Sequence, residues 1–134
     1  MNEDMITLGL WAERIRGLEG AGPKPLMELA EEAGEGLPQV QRACLSLAAM
    51  NAIETGVLDL ALQIAERLIE ADRDRSGLRV LARVLRERRE DKRAIQIENE
   101  AEITDDHFMT PEVESEIEAI WPGLLKMLRT GRFE

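Results

Sequence analysis

The chain has 134 residues, of which 44% are apolar and only 3% aromatic, with no tyrosine and a net charge of −10. One domain of this length can bury a core of its own, and a core so poor in aromatics has to be built from Leu, Ile, Val, Ala and Met, which favours helices. The negative charge argues against nucleic acid and anionic membrane as partners, and no apolar run approaches the roughly 20 residues of a membrane span.

The start, Met1-Asn2-Glu3-Asp4, is acidic and lacks the basic lead of a secretory signal, so a cytoplasmic location is expected. A first helix is expected over about 4–18, with Ile6, Leu8, Leu10, Trp11, Ile15 and Leu18 on its apolar face. Gly17, Gly20, Gly22 and Pro23 break it. A second helix starts at Pro25, carries Leu26, Leu29, Ala30 and Ala33, and ends at Gly34 and Gly36. A third, from Pro38 to about Thr55, is apolar on much of its circumference through Val40, Ala43, Cys44, Leu47, Ala48, Met50 and Ile53. A helix of that kind is central. Cys44 is the only cysteine, so no disulfide forms within the chain, and its apolar neighbours mark it as a small core residue.

Gly56 can adopt the left-handed conformation that caps a helix C-terminus. A fourth helix over about 57–71 carries Leu58, Ala61, Leu62, Ala65, Leu68 and Ile69; a fifth over 77–89 carries Leu78, Leu81, Ala82 and Leu85; a sixth over 91–103 carries Ala94, Ile95, Ile97 and Ala101. A polar connection over 104–108 leads to Thr110-Pro111, an N-cap followed by proline at the first helical position. Val113, Ile117, Ile120, Trp121, Leu124 and Leu128 then recur at helical spacing, and Pro122 inside that pattern predicts a kink or two short helices. Trp11 and Trp121 are expected to pack on the core or cap it, and the end from Gly131 to Glu134 is expected to be loose. No segment shows sustained β-type alternation. The fold class expected is all-α with about seven helices in one domain: N-terminal helices over 4–34, stacked antiparallel hairpins over 38–103, and a C-terminal capping helix over 110–130.

Charge is unevenly placed. Arg75 to Arg93 holds eight basic and three acidic residues, a local +5 that leaves −15 elsewhere, and from Ile95 to Trp121 there are nine acidic residues and no Lys or Arg. His107, the only histidine, lies in Asp105-Asp106-His107. A metal needs three or more converging ligands, and a polar loop explains this triplet as well, so no metal or cofactor is expected. Glu98, Glu100 and Glu102 point in different directions on a helix and form no acid–base pair. No glycine-rich phosphate loop follows a strand. An enzyme is therefore not expected.

The apolar spacing over 45–101 resembles the tetratricopeptide repeat. Leu45, Ala48, Ala49 and Ala52 form one arm, Gly56 the turn, and Leu58, Ala61, Ala65 and Leu68 the answering arm. Leu78, Leu81, Ala82 and Leu85 repeat the first arm, and Ala94 and Ala101 the second. Departures from the family pattern are Ala65 in place of an aromatic, the charged Glu98 at the equivalent position, a second turn at Glu90-Asp91 without glycine, and no terminal proline in either unit. The resemblance implies a non-catalytic scaffold (adaptor, chaperone or accessory subunit) that binds a peptide or partner protein in a concave groove lined by the first helix of each pair. The polar candidates for that groove are Asn51, Arg75, Arg79, Arg83 and Arg86, with the arginines four apart sharing a helical face suited to clamping carboxylates.

Two other readings stand beside it. Leu29-Ala30-Glu31-Glu32-Ala33-Gly34, followed by Val40 and Ala43, has the outline of a helix-turn-helix, but Glu35 sits where an apolar turn residue belongs and Arg42 is the only nearby cation. The opposed charge of Arg75–Arg93 and Ile95–Trp121 also suits pairing between copies in a homo-oligomer.

Overall fold

The structure is a computed structural model that describes residues 3–18, 20–34, 36–107 and 110–130; side-chain surroundings are described from residue 10 onward, except at 39, 116, 120 and 127–130. The described residues form eight helices and no strand: α1 (Glu3–Arg16), α2 (Pro23–Ala33), α3 (Pro38–Glu54), α4 (Leu58–Ala71), α5 (Arg75–Glu87), α6 (Asp91–Glu102), α7 (Pro111–Ile120) and α8 (Pro122–Thr130). The eighth arises at Pro122. The residue before a proline is pushed out of the helical region, and Trp121 is accordingly extended at φ −150°, ψ 90°, so the expected capping helix is two. The second helix opens two residues earlier than expected, because Pro23, with its fixed φ, takes the first position. The segment from Gly131 to Glu134 lies outside the described residues.

Helix α3 is the centre of the molecule. Every residue from Arg42 to Ala52 is buried. α2 and α4 both pack on it, α5 packs on α4 and also reaches α3, and α6 packs on α5. Each of these helices is joined to the next by a short connection, which makes successive pairs antiparallel hairpins. α1 and α8 lie against α3, and α7 packs on α1 and α8. The C-terminal pair thus covers the α3 side of the row, and the outer face of α6 is left to solvent. Leu10, expected on the apolar face of the first helix, is 75% exposed; Ala12 and Ile15 make the buried contacts there.

The turns after α3 and α5 have the same geometry. In the first, the N–H groups of Thr55, Gly56 and Val57 donate to the carbonyls of Asn51, Ile53 and Ala52 at 3.0, 3.1 and 2.9 Å. In the second, Arg88, Arg89 and Glu90 donate to Val84, Arg86 and Leu85 at 3.0, 3.0 and 2.9 Å. Each donor and acceptor of the second turn lies 33 residues after its counterpart (Ala52 to Leu85, Val57 to Glu90). Gly56 has φ +79°, and its counterpart Arg89 adopts φ +64°, the one non-glycine residue with positive φ among those described. The second turn therefore forms without glycine, with a side chain held in the left-handed region at a cost of about 1–2 kcal/mol.

A buried ion pair ties three helices together. Arg42 on α3 donates from Nη2 to Asp74 Oδ1 at 2.6 Å and from Nη1 to the Leu68 carbonyl at the end of α4 at 3.1 Å. Asp74 is fully buried and also caps α5, accepting from the Gly77 amide at 3.0 Å. Gly77 suits this packing, since a Cβ there would lie 3.1 Å from Arg42 Nη2 and 3.2 Å from Ile69 Cγ2, and these side chains would have to give by a few tenths of an ångström. The fifth helix begins at Arg75, earlier than expected, because Asp74 supplies this cap.

Candidate functional site

The candidate groove residues separate sharply once placed. Asn51 sits on α3 and is only 7% exposed, so it does not line an open surface. Arg75 donates from Nε to the carbonyls of Ala101 and Thr104, at 3.2 and 2.9 Å, and so satisfies acceptors at the C-terminal end of α6. Arg86 forms a two-pronged pair with Glu98, Nε to Oε2 at 2.7 Å and Nη2 to Oε1 at 2.6 Å. That hydrogen bond raises the Arg86 pKa and lowers that of Glu98. Of these three, Asn51 is buried and Arg75 and Arg86 are engaged within the chain.

Arg79 and Arg83 remain. They lie one turn apart on α5, whose opposite side buries Leu78, Leu81, Ala82 and Leu85. Neither has a hydrogen bond or ion pair among the described residues, and Arg79 is exposed. Their surroundings make this distinctive. Arg73 is paired with Glu100, Arg86 with Glu98, and Arg88 with both Asp59 and Glu90. In a chain with 27 acidic against 17 basic residues, these two arginines form no ion pair among the described residues.

Beside them is a cleft of about 480 Å³ between α5 and the start of α7. Arg75 and Arg79 line one wall, and Asp105, Asp106, Thr110 and Glu114 the other. The far wall is built locally. Thr110 caps α7 by accepting from the Val113 amide at 3.3 Å, as the Thr-Pro pair predicts, and Ser76 donates to Asp106. His107 pairs with Asp72 at 2.9 Å, and this contact raises the histidine pKa above its ordinary value. Among the described residues no cluster of three or more His, Cys, Asp or Glu side chains converges as a metal site. Burial pushes the Cys44 thiol up to about 12.

Arg42, the cation of the helix-turn-helix reading, is inside the molecule and bonded to Asp74. α3, the would-be recognition helix, is buried at every residue from Arg42 to Ala52 and offers no free face there to enter a groove of DNA. Sequence reasoning missed the Arg42–Asp74 pair. The available signal was a charged residue inside the apolar run of α3, which places a cation in the core and requires a buried acid opposite it.

Comparison of the chain with protein-family profiles, with curated proteins and with solved structures found no match. No described helix is long and apolar enough to cross a membrane.

Proposed function

We propose that the protein is a binding module whose α5 face, centred on Arg79 and Arg83, recognises an acidic segment of a partner protein. The observation that carries this is that neither guanidinium forms an ion pair among the described residues, in a strongly acidic chain that pairs Arg73, Arg86 and Arg88 around them. Side chains four apart on a helix stand roughly 5–6 Å from each other, so the pair suits two carboxylates spaced one helical turn apart, each held by a forked arginine contact. The acidic far wall of the cleft favours a segment that turns its carboxylates to α5 and a neutral or basic flank to Asp105 and Glu114. The common geometry of the two turns and the hairpin row give this reading its scaffold, in keeping with the tetratricopeptide resemblance.

Selection from a displayed peptide library tests it. Wild-type protein is expected to enrich peptides with paired acidic residues, and the Arg79→Glu, Arg83→Glu variant is expected to lose that enrichment while retaining wild-type helicity. Enrichment of the same peptides by both proteins, or of none by the wild type, overturns the proposal.

A further inference from the structure

The outer face of α6 has a pattern that fits itself. At 3.6 residues per turn, Lys92, Ile95, Gln96, Asn99, Glu102 and Ile103 all lie within about 60° of Asn99, on the side of α6 opposite Ala94 and Ala101. Those two alanines are buried against α5, whereas all six residues of the outer stripe are exposed, Ile95 at 48% and Ile103 at 87%. The neighbouring charges Glu98 and Glu100 are spent on Arg86 and Arg73. Lys92 and Glu102, at the two ends of the stripe, have no ion pair among the described residues.

We infer that α6 is a self-association face, and that it pairs antiparallel with α6 of a second copy about a two-fold axis at Asn99. Ile95 and Ile103 are each four residues from Asn99, about 6 Å along the helix axis. An antiparallel partner therefore sets Ile95 of one copy against Ile103 of the other, and does so twice. The same operation sets Lys92 of each copy, seven residues before Asn99, against the acidic segment from Glu102 to Asp106 at the C-terminal end of α6 in the other. A parallel pairing would instead set lysine against lysine and glutamate against glutamate. The equal spacing and the opposite charges at the two ends single out a second copy of this chain as the occupant, because a two-fold interface must be complementary to itself. The helix is only about 18 Å long, which places the contact at the small, weak end of specific interfaces and makes the dimer dependent on concentration and salt.

Sedimentation equilibrium over a concentration series is the first test. The mass is expected to rise from 15.1 kDa towards twice that value with concentration. The Ile95→Asp, Ile103→Asp variant, with unchanged circular dichroism, is expected to weaken dimerisation more than about tenfold. In parallel, Asn99→Cys is expected to form a disulfide-linked dimer on mild oxidation, because it meets its own copy at the axis, whereas Gln63→Cys on the exposed side of α4 does not. Wild-type protein that stays monomeric throughout overturns the inference. So does a dimer unaffected by the isoleucine changes, or equal cross-linking of the two cysteine variants.

Discussion

Removing Asp74 is expected to destabilise this protein more than its single hydrogen bond to Arg42 suggests. The Asp74 side chain is fully buried and that of its partner Arg42 is 9% exposed, with 2.6 Å between Nη2 and Oδ1. In Asp74→Ala the Arg42 charge stays in the interior with only the Leu68 carbonyl to solvate it. Leaving one member of a buried pair unmatched costs roughly 3–5 kcal/mol. Loss of the α5 cap adds about 1 kcal/mol. The sum, about 4–6 kcal/mol, is a large part of the roughly 5–15 kcal/mol that holds a domain folded. Two further variants separate the causes. Asp74→Ser keeps a capping oxygen, so its loss reflects the unmatched charge. Arg42→Leu with Asp74→Ser removes both charges and is expected to regain most of the stability. The Leu68 carbonyl does not become an orphan in that double variant, since the Asp72 amide donates to it at 3.2 Å. Urea unfolding followed by circular dichroism measures all three. An Asp74→Ala protein within about 1 kcal/mol of wild type, or a double variant no more stable than Asp74→Ala, refutes the reasoning.

Three other outcomes follow from the structure. Arg89→Gly relieves the left-handed backbone at the second turn and removes no ion pair, so it is expected to raise stability by about 0.5–1 kcal/mol after the greater chain entropy of glycine is allowed for, and a decrease in urea unfolding contradicts this. Cys44, with its thiol pushed up to about 12 by burial, is expected to resist a disulfide reagent at neutral pH at the rate set by opening of the fold; rapid labelling of native protein contradicts its placement. The His107 pKa, raised by Asp72, is expected to lie above the ordinary value in a proton-resonance titration and to return towards it in Asp72→Asn. Because the folded value is the higher one, the stabilisation from this pair is complete below the unfolded histidine pKa of about 6.5 and is lost as pH rises through the folded value. An unshifted titration in the wild type removes the contact.

The helices were legible because their signals are local. Pro38, Thr110-Pro111 and Gly56 mark ends through their own backbone requirements, and the apolar spacing of α3 shows that it is central. The break at Pro122 was legible for the same reason. The second turn was legible as one without glycine, but the left-handed conformation of Arg89 within it was not, because strain in one residue can be carried by packing elsewhere in the hairpin. The site was read less well, since composition reveals how many arginines lie near α5 but not which of them find a carboxylate. Arg86 reaches Glu98 across a hairpin, Arg75 reaches carbonyls at the end of α6, and Arg42 reaches Asp74 from another helix. Those pairings exist only in three dimensions, and they reduce five candidates to Arg79 and Arg83.

The most direct test of the α5 binding face is a paired affinity capture from native lysate. Tagged wild-type protein and the Arg79→Glu, Arg83→Glu variant are processed side by side, and recovered proteins are quantified by mass spectrometry. The expected result is a partner with an acidic segment recovered in proportion to the wild-type bait and lost from the variant. Equal recovery on both baits, or recovery of the bait alone, contradicts a binding role for Arg79 and Arg83.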